Sequence, residues 1–187
     1  MKINFEYSSA YDMMLSEMIG NETDAKKSQD FLSSVRTFWS SNGNKIIKEI
    51  EKVSKLKFNR EIDCFVVSSM LYESISHPFT IKFEKSKDKL LAIFVHELTH
   101  ILLAQNFKNA AKTINLINGD HDYKVHFPVL LIERRVLEKL HKDYKMEKRI
   151  EDLDYIWSEV NKVYPEFHNY SKGIVPFLKE NVVNRPV

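Results

Sequence analysis

Several features that mark special classes of protein are scarce in this sequence of 187 residues. It has a single cysteine, Cys64, so neither an internal disulfide nor a thiolate zinc site can form, which favours a reducing compartment. The 28 basic and 26 acidic residues leave a net charge of only +2, which argues against nucleic acid or an acidic membrane surface as a partner. With 4 glycines and 5 prolines, the chain does not have the composition of a disordered or repetitive protein.

Long hydrophobic runs are also missing. Residues 1–20 lack the uninterrupted apolar core of a signal peptide, and elsewhere charges interrupt the apolar runs well short of a membrane span. We therefore expect a soluble, cytoplasmic protein with no membrane partner. At 43% hydrophobic residues and without a linker or a shift in composition, the chain is expected to form a single domain over 1–187.

Hydrophobic periodicity predicts an α+β fold that is mostly helical. Helices are expected over 24–39 and 44–56 with a break at Asn42-Gly43-Asn44, over 86–105 with Ser86 as N-cap, over 107–118, from Pro128 to about 142, and from about 147 to a stop at Pro165. The stretch 119–127 is expected to be a polar loop. Two short strands are predicted at 62–67 and 77–83, and the second alternates like a strand with one wet face, at a sheet edge. A small mixed or antiparallel sheet should pack against the helix 86–105, which is apolar on nearly every side and therefore buried.

One motif within that buried helix carries chemistry. His96-Glu97-Leu98-Thr99-His100 is an HExxH string, and positions i and i+4 share a helical face, so both imidazoles can converge on one zinc ion. Zinc lowers the pKa of a bound water to about 7, and the carboxylate of Glu97 can take its proton during attack on a carbonyl. The plain alternative, two core histidines and a stray glutamate, would bury three polar groups together without obvious partners. The motif therefore predicts a zinc-dependent hydrolase.

A catalytic zinc ion needs a third protein ligand, and two residues compete for that place. Glu133 falls on the apolar face of the helix that follows Pro128, where an unpaired carboxylate is costly unless it meets a cation. His126 offers an imidazole just before that helix, and three-histidine zinc sites are well precedented. Each also has a structural explanation, because Glu133 could pair with Arg134 or Arg135 and His126 could flank a helix start.

The HELTH string and its surroundings resemble the gluzincins, the wider group of thermolysin-like zinc peptidases. A metzincin would need glycine and histidine where this chain has Leu103 and Asn106, and a deformylase would need aspartate in place of Thr99. The resemblance covers 44–141, about half the chain, as a helix, a short sheet, the motif helix and a helix with a glutamate. The segments 1–43 and 142–187 would then be helical additions to this core.

The resemblance implies a peptidase whose zinc is held by His96, His100 and Glu133, with Glu97 as the general base. It also implies that the strand 78–83 (PFTIKF) forms the rim of the cleft, where a peptide or protein substrate binds as an extended strand. One departure from the gluzincin pattern is Leu137, since these enzymes usually place an aspartate or asparagine some four residues after the ligand glutamate.

Several residues keep alternative roles. If Glu133 binds zinc, His126 becomes a candidate to stabilise the oxyanion, and the hydroxyl of Tyr123 could do the same. Asp120 or Asp122 is a candidate to orient a ligand histidine. A second function also fits: a zinc-stabilised regulatory or interaction protein with little or no peptidase activity, which a fourth protein ligand would favour. Substrate identity and oligomeric state have no signal in the sequence.

Overall fold

The computed structural model describes residues 1–140 and 154–183, and there the chain forms a mostly helical α+β fold with one small sheet. The strands are β1 Ile3–Glu6, β2 Ile62–Val67, β3 Ser74–Ser76 and β4 Phe79–Lys82. The helices are α1 Ser9–Glu17, α2 Ala25–Ser54, α3 Lys87–Gln105, α4 Phe107–Ile114, α5 His121–Leu140, α6 Asp154–Asn169 and α7 Ile174–Leu178, followed by a π-helical segment at Lys179–Val183. The predicted fold class is confirmed.

Residue contacts divide the chain into two compact units. Unit 1 comprises Met1–Lys45 and Asn59–Leu98, and unit 2 comprises Ile46–Phe58 and Thr99–Val187. The sheet and α1 belong to unit 1, whereas α4 to α7 belong to unit 2. That the whole chain is one metallopeptidase-like domain, with its core at 44–141, stays a prediction.

The sheet of unit 1 is mixed, with the strand order β1-β2-β4-β3. The first three of these strands run parallel, and β3 pairs antiparallel with β4. Their register aligns Phe5 with Phe79 through the central strand β2, and Phe94 of α3 packs edge-on against both rings at centroid distances of 5.9 and 5.8 Å. On the opposite face, Tyr11 of α1 packs against Phe65 at 5.4 Å. The sheet therefore packs against the motif helix, as predicted.

Strand β4 is an interior strand, so the prediction of an edge at 77–83 is wrong. It is paired with β2 on one side and with β3 on the other, and Phe79, Thr80 and Ile81 are all buried. The edge strands are instead β1 and β3. Strand β3 has no signal in the sequence, because three residues, Ser-Ile-Ser, are too few to show an alternating pattern. The backbone groups that strand addition along 78–83 would require are thus already used by β2 and β3.

Helix α2 runs without interruption over Ala25–Ser54, so the predicted break at residues 42–44 is wrong. A Cβ atom at Gly43 would lie less than 3.0 Å from the indole ring of Trp39, one turn earlier on the same helix. The glycine therefore makes room for the Trp39 side chain and does not end the helix. Asn42 also remains within the helix, where its side-chain amide donates to the Phe38 carbonyl at 2.9 Å.

Two prolines lie inside helices where the sequence analysis placed helix boundaries. Helix α5 begins at His121 and continues through Pro128, so the predicted polar loop at 119–127 is wrong. The start is set by Asp120, whose carboxylate accepts a hydrogen bond from the Tyr123 amide at 2.7 Å in the manner of an N-cap.

Helix α6 likewise continues past Pro165 to Asn169, while the predicted start of that helix near 147 lies outside the described residues. Each proline removes one backbone donor, a loss that the burial of these helices outweighs.

The core of unit 2 is formed by α5, α6 and α7. Val136 of α5 and Val160 of α6 are fully buried, and Phe167 packs against Phe177 of α7 at a centroid distance of 4.9 Å. The guanidinium of Arg135 donates to the carbonyls of Phe167 and Tyr170, both at 2.9 Å, and so satisfies the C-terminal end of α6. These contacts fix the part of α5 around Arg135 and Val136.

Helix α3 begins as predicted, with the Lys89 amide donating to the side-chain oxygen of Ser86 at 3.3 Å and Asp88 in the first turn. It is buried over most of its circumference, including Ile93, Leu98 and Leu102. In the described part of the chain, no single helix is long and apolar enough to cross a membrane, although α3 and α4 together, bent by 102°, meet that test by length and composition.

Candidate metal site

Helix α3 carries the complete HExxH motif. His96 and His100 are separated by four residues, so their side chains project from successive turns on the same face of one continuous helix. The His96 side chain is 9% exposed and that of Glu97 is 5% exposed, while His100 is half-buried. The motif therefore lies at the boundary between the interior and solvent, where a metal ion from solution has access to the two histidines.

Helix α5 supplies a third imidazole. The ring of His126 lies 5.0 Å from the ring of His100, nearly perpendicular to it at 84°. One ligand nitrogen from each of His96, His100 and His126 lies within 4.8 Å of the other two. Three atoms this close share a centre at most about 2.8 Å from each, so small side-chain rotations would reach the zinc to nitrogen distance of about 2.0 to 2.1 Å. The donor set and its spacing thus fit a zinc ion.

The hydrogen bond of His126 determines which of its nitrogens can bind a metal. Its Nδ1 lies 3.0 Å from the carbonyl oxygen of Asp122, one turn earlier on α5. Because a carbonyl oxygen only accepts, Nδ1 must carry the proton, and Nε2 keeps the lone pair that a metal needs. Asp122 had been one of two residues expected to orient a ligand histidine, and its backbone, not its carboxylate, makes this contact.

Glu133 is buried as expected, with 1% of its surface exposed. In the part of the chain that the structure describes, however, it is not a member of the group of three possible ligands. It follows His126 by nearly two turns on the same helix, which places its backbone roughly 10 Å farther along the axis at about 1.5 Å per residue. The geometry favours His126 over Glu133, and metal binding by Glu133 stays a prediction.

Glu97 contacts the edge strand β3 of the sheet. The hydroxyl of Ser74 in β3 donates to Oε1 of Glu97 at 2.6 Å. Beneath it, burial raises the pKa of the Cys64 thiol well above its ordinary value, and the charge of Glu97 adds to this effect. Cys64 therefore stays protonated and acts as a small core residue.

Tyr123 packs against its own helix and against α6. Its ring stacks on Phe127 at a centroid distance of 5.1 Å and on Tyr155 at 6.4 Å. Burial, with smaller contributions from Glu159 and Tyr155, raises the pKa of Tyr123 to about 12, so the phenol keeps its proton and can donate a hydrogen bond. Oxyanion stabilisation by Tyr123 stays a prediction, because the described contacts of its ring are with aromatic neighbours.

The remaining described histidines do not join this group. His77, His121 and His168 are exposed, while His141 lies outside the described residues. Ser74 has no signal in the sequence, because its partner is 23 residues away and nothing local marks such a pair.

The chain matches none of the protein-family models, curated proteins or solved structures with which it was compared. The resemblance to the gluzincins therefore depends on the motif and on the order of the surrounding elements.

Proposed function

We propose that the protein is a zinc-dependent hydrolase, and more specifically a small metallopeptidase. The observation that carries this proposal is the group of His96, His100 and His126, whose ligand nitrogens lie within 4.8 Å of one another, next to Glu97. Three protein ligands are the number found in catalytic zinc sites, where the fourth position is left to water or substrate. Three imidazoles also suit zinc better than magnesium or calcium, which prefer oxygen ligands.

In this proposal the zinc ion, Glu97 and Asp122 have different roles. Zinc, when bound, lowers the pKa of a water molecule and polarises the carbonyl that the water attacks. Glu97 accepts the proton of that water and passes it to the leaving amine, so one carboxylate serves first as base and then as acid. The hydrogen bond that Nδ1 of His126 donates to the Asp122 carbonyl holds the third imidazole with Nε2 directed away from its own helix backbone.

The peptide bond as the target belongs to the proposal through the gluzincin resemblance, because an activated water does not identify its electrophile. A peptide or protein substrate would add to the sheet at β3, since 78–83 is paired on both sides and β3 is the edge strand that contacts Glu97. A cytoplasmic location, with no nucleic acid or membrane as partner, completes the proposal. The near balance of basic and acidic residues supports it.

The second candidate is a zinc-stabilised regulatory or interaction protein with little turnover. One observation favours it: Glu97 is almost fully buried and its Oε1 is engaged by Ser74, as a purely structural carboxylate would be. In that case the metal would tie α3 to α5 and contribute to folding stability, as structural zinc does.

Substitution of Glu97 by glutamine separates the two candidates. The zinc-loaded wild type, Glu97→Gln and Asp88→Asn would be incubated with a mixed peptide library, with cleavage followed by mass spectrometry and zinc by elemental analysis. Asp88 is an exposed residue of the same helix, so Asp88→Asn is a matched control for loss of one negative charge. We expect Glu97→Gln to keep its zinc and lose about 100-fold or more of the cleavage rate. Equal cleavage by wild type and Glu97→Gln would contradict the proposal, and zinc binding without any cleavage would favour the regulatory protein.

A further inference from the structure

The hydrogen bond between Ser74 and Glu97 connects the edge strand β3 of the sheet to the motif helix. At 2.6 Å from Oγ to Oε1, it has the length of a charge-assisted bond from a hydroxyl to a carboxylate. The other oxygen, Oε2, is not one of the buried polar atoms that lack a partner, which in the described chain are Ser16 Oγ and Thr113 Oγ1. Oε2 therefore either contacts solvent or has a polar partner.

The position of Ser74 follows from the sheet register. In the antiparallel pair of β3 and β4, Ser74 lies opposite Ile81, which shares a face of the sheet with Phe79, and Phe79 packs against Phe94 of α3. Directly opposed residues point to the same face of a sheet, so Ser74 faces inwards. A short hydroxyl at that position can reach the carboxylate above it, whereas alanine would fit the space without reaching it.

We propose that Ser74 is a positioning residue for Glu97. The last torsion of a glutamate side chain is broad, so a carboxylate held at neither oxygen samples many orientations. The hydroxyl of Ser74 fixes Oε1 and so presents Oε2 to the water from which Glu97 takes a proton. This inference depends on the proposed function for its catalytic meaning. Removal of a group that orients a catalytic residue through a hydrogen bond lowers activity by about 10- to 100-fold.

The same strand offers a matched control. Ser76 lies two residues after Ser74 on the same face, opposite Phe79, and its hydroxyl contacts the exposed His77 at 3.2 Å. Ser76→Ala therefore removes one hydroxyl from the same strand without touching Glu97. Ser74→Thr keeps a hydroxyl at the position itself, in a residue that favours strands.

The kinetic experiment compares these variants in their zinc-loaded form on a peptide that the wild type cleaves. We expect Ser74→Ala to lose about 10- to 100-fold in kcat with KM and zinc content unchanged, because the carboxylate is misoriented while the ligands stay in place. Ser76→Ala should match the wild type, and Ser74→Thr should recover most of the loss. Wild-type kcat in Ser74→Ala, or an equal loss in Ser76→Ala, would overturn the inference.

A second readout does not require activity. The side-chain carboxyl carbon of Glu97 can be observed by NMR in protein with ¹³C-labelled glutamate, at pH 8, and assigned by its loss in Glu97→Gln. We expect this resonance to move in Ser74→Ala and to stay in place in Ser76→Ala. An unmoved resonance in Ser74→Ala would overturn the positioning role. A wild type that cleaves nothing would instead overturn the proposed function, while a shift confined to Ser74→Ala would still support the positioning of the carboxylate.

Discussion

Unit 1 contains two buried carboxylates that have very different surroundings. Asp12 of α1 is fully buried and accepts three hydrogen bonds, from the amide of Ser68 at 2.8 Å, its hydroxyl at 3.0 Å and the hydroxyl of Ser28 at 3.1 Å. Glu97 of α3 is 5% exposed and accepts one described hydrogen bond, from Ser74. The described donors to Asp12 engage both of its oxygens, whereas the described donor to Glu97 engages Oε1.

The difference indicates two uses of a buried charge. A carboxylate with donors on both oxygens recovers much of the cost of leaving water, and it can tie separate elements together. Asp12 does this for α1, α2 and the segment after β2. A carboxylate that keeps one oxygen for solvent gains less from burial, but it can still exchange a proton. In the proposed function, Glu97 uses that capacity beside the metal ligand His96.

The largest expected effect on stability is that of Asp12→Ala. It removes three hydrogen bonds and leaves the buried Ser68 amide without its acceptor, so we expect a loss of about 3 kcal/mol in the free energy of unfolding. Urea denaturation followed by circular dichroism would show this as a midpoint lowered by about 1 M or more.

Glu97→Gln is the matched variant for that experiment. Glutamine keeps the size of the side chain and an oxygen that can accept from Ser74, so we expect a change of less than about 1 kcal/mol in stability. If Glu97→Gln destabilised the protein as much as Asp12→Ala, the distinction between a structural and a functional carboxylate would be wrong.

A smaller, pH-dependent effect on stability is expected from substitution of Asp120, an exposed carboxylate that caps the start of α5. The amide of Tyr123 and then the hydroxyl of Tyr155 hold the pKa of Asp120 below its ordinary value. A lowered pKa in the folded state means that the stabilisation is present above the ordinary pKa near 4 and is lost as pH falls through the folded value. We therefore expect Asp120→Ala to lower the urea midpoint at pH 7. The difference in midpoint between this variant and the wild type should become smaller towards pH 3.

Asp120→Asn is the control for this prediction. Asparagine keeps an oxygen for the Tyr123 amide but has no charge to titrate, so it should retain more of the helix cap than alanine at pH 7. A gap between Asp120→Ala and wild type that was the same at pH 3 and pH 7 would argue against a charged cap at α5.

Much of the fold could be predicted from the sequence because its signals are local. The apolar spacing of α3, the cap at Ser86 and the β-branched run of β2 each lie within one segment. The errors arose where a distant or cross-turn contact overrides the local pattern. Gly43 accommodates Trp39 within a continuous helix, and β3 forms only because β4 pairs with it.

The candidate site could be predicted only in part for the same reason. His96, Glu97 and His100 lie within five consecutive residues, so their spacing alone indicated a metal. The preference for His126 follows from α5 beginning at His121, since a loop at 119–127 would have left its position open. Ser74 could not be found from the sequence, because its contact with Glu97 depends on the register of an edge strand.

The most direct test of the account is the zinc content per chain, measured by elemental analysis, of the wild type, His126→Ala and Glu133→Ala. Both variants truncate a side chain of α5 to alanine, so each serves as a control for the other. The three-histidine group predicts one zinc ion per chain in the wild type and in folded Glu133→Ala, with most of it lost in His126→Ala. Zinc lost in Glu133→Ala and kept in His126→Ala would contradict the assignment of the third ligand. A wild type that binds no zinc even when it is offered would contradict the metal site itself.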